Sequence, residues 1–178
     1  MEIRVDESIA LRTLEEADAP VLFALVDRER AHLRQWLPWL DVNTRVEDSL
    51  AFIRDQNARA AIEENVPFSL LHDGELAGVV AYHTIDREQR WCSVGYWIAA
   101  RLQGRGIVTR AVRALARHAF DVLGMERVEL QAATGNDRSR AVAERLGFRA
   151  QRTIDQAEWL YDHHVDHVVY VLEREQAR

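Results

Sequence analysis

Residues 91–120 carry the pattern that most restricts the fold: a β-rich run, WCSVGYWI, passes through AARLQGRG into IVTRAVRALARHAF, which is apolar at helical spacing. If the next strand lies beside the first, the helix has to cross the sheet, and such crossovers are right-handed. That next run is RVELQAAT, with Val128, Leu130 and Ala132 on one face. Val108, Val112, Leu115, Ala119 and Val122 form the stripe expected to pack on the sheet, while Arg113 and Arg117 read as a solvated face. Gly124 is placed to close the helix as a C′ glycine.

The flanking segments extend this unit in both directions. Upstream, Ile3 to Leu14 reads as a strand with a turn, and EEADAPVLFALVDRERAHLRQWL as a helix with Asp18 as N-cap, Pro20 in its first turn and Pro38 as its stop. Thr44 with Glu47 signals a capping box for a second helix, VEDSLAFIRDQNARAAIEE. PFSLLHDGELAGVVAYHT is a hairpin about Asp73-Gly74. Downstream, DRSRAVAERLG is a short helix closed by Gly147, and runs around FRAQRTI and HVDHVVYVLE bracket a polar DQAEWLYDH. An antiparallel series followed by β-α-β-α-β-β describes one α+β domain: a mixed, mostly antiparallel sheet flanked by helices.

With 178 residues, 48% of them hydrophobic, the chain has enough material for one good core. Lys+Arg of 23 against Asp+Glu of 29 leaves a formal net charge of -6, which argues against a broad grip on nucleic acid. An anionic ligand would need a local basic pocket. MEIRVDESIALR lacks the build of a signal peptide, no segment is apolar enough to span a bilayer, and the single Cys92 forms no internal disulfide, so we expect a soluble, cytoplasmic protein.

Gly104 and Gly106 lie where backbone N–H groups project at a helix N-terminus, a setting that favours a phosphate. Arg101, Arg105 and Arg110 are close enough in sequence to add charge-assisted bonds. A P-loop needs Lys-Ser/Thr after its second glycine, but Ile107-Val108 follow; a dinucleotide fingerprint needs Gly or Ala where Thr109 stands. Both matches fail. The competing local reading is a surface loop with turning glycines and solubilising arginines.

The pattern Arg101-x-x-Gly104-x-Gly106 opening an amphipathic helix after GYWI resembles the acyl-CoA signature of the GCN5-related N-acetyltransferase (GNAT) superfamily. ATGNDRSRAVAERLGF is similar to its later motif, with Asn136 before a helix and Gly147-Phe148 after it. HLRQWLPWLD, the pair Asn136/Ser139 and AEWLYDHHVDHVVY are similar to the branch that acetylates ribosomal-protein N-termini at serine or alanine. The resemblance runs from about residue 8 to residue 173. It implies the GNAT acyl-CoA N-acyltransferase fold and acetyl-CoA as co-substrate. The amides of Gln103, Gly104, Arg105, Gly106, Ile107 and Val108 would meet its diphosphate, with Arg101 beside them, and Asn136 its pantetheine arm.

Acetyl transfer needs a neutral amine, an oxyanion site and stabilisation of the departing thiolate. An α-amino group, with a pKa of about 7.7 to 8.0 against about 10.4 for lysine, needs only a modest base. The resemblance makes Glu158 that base, although alone it reads as a solvated carboxylate in a polar loop. It makes Ser139 the partner of the thiol, although serine near a helix start often bonds its own backbone. Relatives commonly carry a tyrosine as general acid where this chain has Ala143. The oxyanion is expected at amides around Trp97 and Ile98, with a bulge at Gly95. Trp36 and Trp39 are expected at the acceptor pocket, or else in the core.

In DHHVDH the ligating side chains alternate between strand faces, so no metal is expected, and the resemblance gives His164 and Asp166 the task of ordering the last strands near the acceptor entrance. The expected acceptor is a protein N-terminus. A small amine, or no chemistry at all in an acyl-CoA-binding regulator, are the alternatives. A homodimer is compatible with the resemblance, but no exposed apolar stripe demands one.

Overall fold

The computed structural model describes residues 1–62 and 65–176. One sheet of eight strands forms its centre: β1 (Glu2–Arg4), β2 (Ile9–Thr13), β3 (Val66–His72), β4 (Glu75–Asp86), β5 (Trp91–Ile98), β6 (Arg127–Ala133), β7 (Arg149–Leu160) and β8 (His163–Glu173). They lie in the order β1-β2-β3-β4-β5-β6-β8-β7. Every neighbouring pair is antiparallel except β5 and β6. That parallel pair requires the crossover, and α3 (Ile107–Asp121) supplies it. The other helices are α1 (Ala19–Leu33), α2 (Val46–Ala61) and α4 (Asp137–Arg145).

Alternation along β4 divides the core. Val80 joins the larger cluster, which α3 builds with Val108, Val112, Leu115 and Ala119, together with Val94 and Leu130. Its neighbour Val79 points the other way and joins Leu22, Val26 and Ile53 of α1 and α2. Val128, Leu130 and Ala132 are buried as the alternation requires. The hairpin turn is confirmed by left-handed Asp73 and Gly74, at φ 52° and 80°.

Several local expectations need correction. Asp18 does not cap α1: it has helical dihedrals, and its carboxylate accepts from the Glu15 amide at 2.9 Å, closing the short 3-10 turn Glu16–Asp18 ahead of the helix. The helix ends at Leu33, before Pro38 acts. Before α2 it is Asp48, not Glu47, that reaches back, accepting from the Thr44 and Arg45 amides at 2.9 and 3.1 Å. The last two residues expected in that helix, 63 and 64, lie outside the described residues. Val122 falls one residue beyond α3 and is 68% exposed, because the chain is already turning toward left-handed Gly124.

The largest correction concerns DQAEWLYDH. Its first six residues belong to β7, and the turn is confined to Tyr161 and Asp162. A bulge between Ile154 and Glu158, with Gln156 at φ 50°, absorbs the polar residues without ending the strand.

Candidate active site

β5 pairs with β4 throughout but with β6 only over Trp91–Val94. Residues 95–98 therefore leave β6, and a cleft of about 1150 Å³ opens where the strands part. Tyr96, Trp97 and Ile98 line it from β5, Gly104 and Gly106 through Thr109 from the start of α3, and Gly135 through Ser139 from the start of α4. His32, Trp36 and Leu37 line it from the other side. Two helix N-termini thus meet one cleft, and each carries partial positive charge.

The glycine loop has the expected geometry. Gly104 and Gly106 take φ of 76° and 71°, a region that disfavours side chains, and a Cβ on either would meet nothing within 4 Å. No side chain caps α3, so its first amides face the cleft without a local acceptor. The arginines differ from expectation. Arg110 is turned to Asp6, at 2.7 Å. Arg101 lies 4.0 Å from Glu75, and neither it nor Arg105 lines the cleft. Among the described residues the lining arginines are Arg138 and Arg145, both from α4. Gln103 joins three elements: its amide nitrogen lies 2.9 Å from His32 Nε2, and its Oε1 accepts from Arg138. Free amides at a helix N-terminus with Arg138 beside them are chemistry suited to an anionic group such as a phosphate.

Asn136 caps α4 by accepting from the Ser139 amide at 3.1 Å, which leaves its side-chain NH2 as its donor. The Ser139 hydroxyl does not bond its own helix; it lies 2.9 Å from the Tyr96 hydroxyl. No bulge occurs on β5 at Gly95. The irregularity is on β4 between Tyr82 and Thr84, and a Cβ on Gly95 would come within 2.1 Å of His83 Nε2. Gly78 is more constrained, since a Cβ there would lie 2.1 Å from the Trp97 carbonyl oxygen and 2.8 Å from Ile98 Cα. Backbone cannot yield as a side-chain tip can. Gly78 thus holds the strand edge that carries Trp97 and Ile98, a role no local sequence signal marked.

The two expected tryptophans separate. Trp36 lines the main cleft, whereas Trp39 lies with Trp97, ring centroids 6.5 Å apart, beside a smaller apolar cavity of about 140 Å³. Tyr161, at the β7–β8 turn, reaches the same region. Its hydroxyl donates to Leu37 O at 2.5 Å and accepts from the Leu40 amide at 3.3 Å, and Arg34 stacks 3.7 Å over its ring.

Glu158, His164 and Asp166 lie on this β7–β8 hairpin and not in the lining of the main cleft. Asp166 accepts from the Gln156 amide at 2.7 Å and so pins the bulge. His164 packs edge-on against Trp159. Glu158 lies 3.7 Å from His167 Nε2. Burial raises the Glu158 carboxyl and lowers the His167 imidazole, the reverse of what an ion pair would do, so desolvation dominates this contact. Cys92 is fully buried, and burial pushes its thiol up to about 12.

Among the described residues no cluster of three His, Cys, Asp or Glu side chains is arranged to hold a metal, and no helix is long and apolar enough to cross a membrane.

A parted parallel pair, glycine-lined amides and a second helix N-terminus define an acyl-CoA-type acetyltransferase architecture. The family model "Acetyltransferase (GNAT) domain" matches residues 8–149, and the chain belongs to this family. YdaF of Bacillus subtilis (strain 168), provisionally named a ribosomal N-acetyltransferase, is 36% identical over 171 residues, covering 95% of this chain and 93% of its own. The ribosomal-protein-serine acetyltransferase of Escherichia coli (strain K12) is 27% identical over 168 residues, 94% of each chain. A solved structure of RimL, a ribosomal L7/L12 alpha-N-protein acetyltransferase in complex with coenzyme A, superposes with a TM-score of 0.94 at 26% identity over 100% of both chains.

Proposed function

We propose that this protein transfers acetyl from acetyl-CoA directly to the α-amino group of a protein chain beginning with serine or alanine, a ribosomal protein being the expected acceptor. The observation that carries the reading is the parting of β5 from β6 beyond Val94, opposite two helix N-termini. A thioester laid along that opening would have its diphosphate on the amides of Gln103 to Val108 and its carbonyl beside the unpaired edge of Trp97 and Ile98. Arg138 and Arg145 would add charge to the phosphate end. The Asn136 side-chain NH2 would donate to a pantetheine carbonyl.

On the acceptor side, Trp36 and the loop held by Tyr161 would receive the incoming chain, with His164 and Asp166 keeping the β7–β8 hairpin in place beside it. Glu158 would take the amine proton. Its raised affinity for protons, caused by burial, suits a base more than an ordinary surface carboxylate would. Direct transfer is favoured over an acyl-enzyme because Cys92 is buried and protonated.

Incubation with acetyl-CoA and peptides beginning in Ser or Ala, followed by thiol release and mass detection, tests the reading. Acetylated peptide is the expected product. Absence of turnover with any peptide or small amine would point instead to an acyl-CoA-binding regulator, and preference for small amines over peptides would reassign the acceptor.

A further inference from the structure

Tyr96 and Ser139 approach each other across the parted strands. Tyr96 projects from the part of β5 that has left β6, Ser139 from the first turn of α4, and their oxygens are 2.9 Å apart in the cleft lining. Neither oxygen has another hydrogen-bond partner among the described residues. Two hydroxyls hold two protons, and the bond between them uses one. The second is left to donate outward, whichever oxygen donates within the pair. At a helix start a serine hydroxyl commonly turns back to the backbone, and here the phenol competes for it instead.

Resting on the reading of this cleft as an acetyl-CoA site, we propose that Tyr96 is a positioning residue for the leaving thiol: its phenol donates to Ser139 Oγ and directs the Ser139 proton to the sulfur. In the reaction the C–N bond forms, the C–S bond breaks, and the electron pair departs on sulfur. Glu158 takes the amine proton and passes it to solvent, and the thiolate is protonated from solvent on release. Full proton transfer from the pair to sulfur is uphill, because burial raises the Tyr96 phenol above the ordinary phenol range and a serine hydroxyl lies higher still, both above a thiol. The pair therefore stabilises the thiolate through a charge-assisted hydrogen bond.

The test titrates the thiol of coenzyme A bound to the protein, following thiolate absorbance in the ultraviolet, for wild type, Tyr96→Phe, Ser139→Ala and the double variant. Wild type should hold the thiolate about tenfold more favourably than any variant, as expected for one hydrogen bond to a charged group. With an acetylatable peptide, Tyr96→Phe should lower kcat about tenfold and leave the KM for acetyl-CoA unchanged, and the double variant should match Ser139→Ala alone. Equal titration in wild type and Tyr96→Phe, or losses that multiply in the double variant, would overturn the proposal. Should Tyr96→Phe not fold, Tyr96→Leu takes its place: with the phenol gone and Ser139 intact, the thiolate must lose the same tenfold as in Ser139→Ala, and a wild-type titration would overturn the proposal. Because the titration needs no acceptor, a protein that binds CoA but acetylates nothing would sink acetyl transfer while still reporting on the pair.

Discussion

The cleft has two sides made in different ways. On the side proposed for the acetyl donor, Gly104, Gly106 and the starts of α3 and α4 present main-chain amides, and the conformations involved are set within a few residues. On the side proposed for the acceptor, the α1–α2 connection is held by a tyrosine 124 positions away from Leu37, and the proposed base, Glu158, sits on a bulged edge strand. Backbone recognition depends on local conformation, and side-chain recognition depends on what the fold brings near. The donor side should thus respond to changes in φ, the acceptor side to loss of single contacts.

The largest effect should come at the proposed base. Glu158→Gln is expected to lower kcat on the order of 10² to 10⁴-fold, the usual contribution of a general base, with little change in acetyl-CoA affinity measured by calorimetry. The same substitution should help stability at pH above the ordinary carboxylate range. Folding raises the Glu158 pKa, so the folded state holds this proton more tightly, and stability falls as pH rises from the ordinary carboxylate range through the folded value. The gap in melting temperature between variant and wild type should accordingly widen above that window and close below it.

Next comes the donor cradle. Gly106→Val forces a β-branched residue to φ of 71°, which costs about 1–2 kcal/mol or more and favours a different loop conformation. Acetyl-CoA affinity should drop about five- to thirtyfold, that free energy expressed in binding, with acceptor KM unchanged. Tyr161→Phe probes the opposite side. It removes the two hydrogen bonds that hold the α1–α2 connection, and with about 1 kcal/mol of that loss passed on to the acceptor, its KM should rise about fivefold while the Kd for acetyl-CoA holds. Equal effects on both ligands would erase the distinction between the sides. Smallest should be Arg138→Gln: an exposed charge contributes under about 1 kcal/mol, so the Kd for acetyl-CoA should rise a few fold, and the difference should fade with added salt.

How legible each side was follows from the same distinction. The glycine loop, the crossover helix and the short helix after Asn136 could be read because turn conformation and amphipathic period are written in contiguous residues. Glu158 reads as a loop residue because polar composition resembles a turn, whereas the chain keeps it in β7 through a bulge that Asp166 stabilises from β8. Arg110 was expected to serve the anion site, but Asp6, 104 positions away, holds it. Arg138 and Arg145 gave no local signal. They gain their place only when α4 starts beside α3's first turn.

Sequence alone determined the kind of elements, their order and the one crossover that splits the sheet, because hydrophobic period and glycine placement act over a few residues. Tertiary structure decided which arginines face the cleft, that Gly78 lets β4 lie against Trp97 and Ile98, and that a phenol from β5 meets a serine from α4. Those outcomes depend on distances between segments far apart in the chain, and such distances exist only once the core has packed.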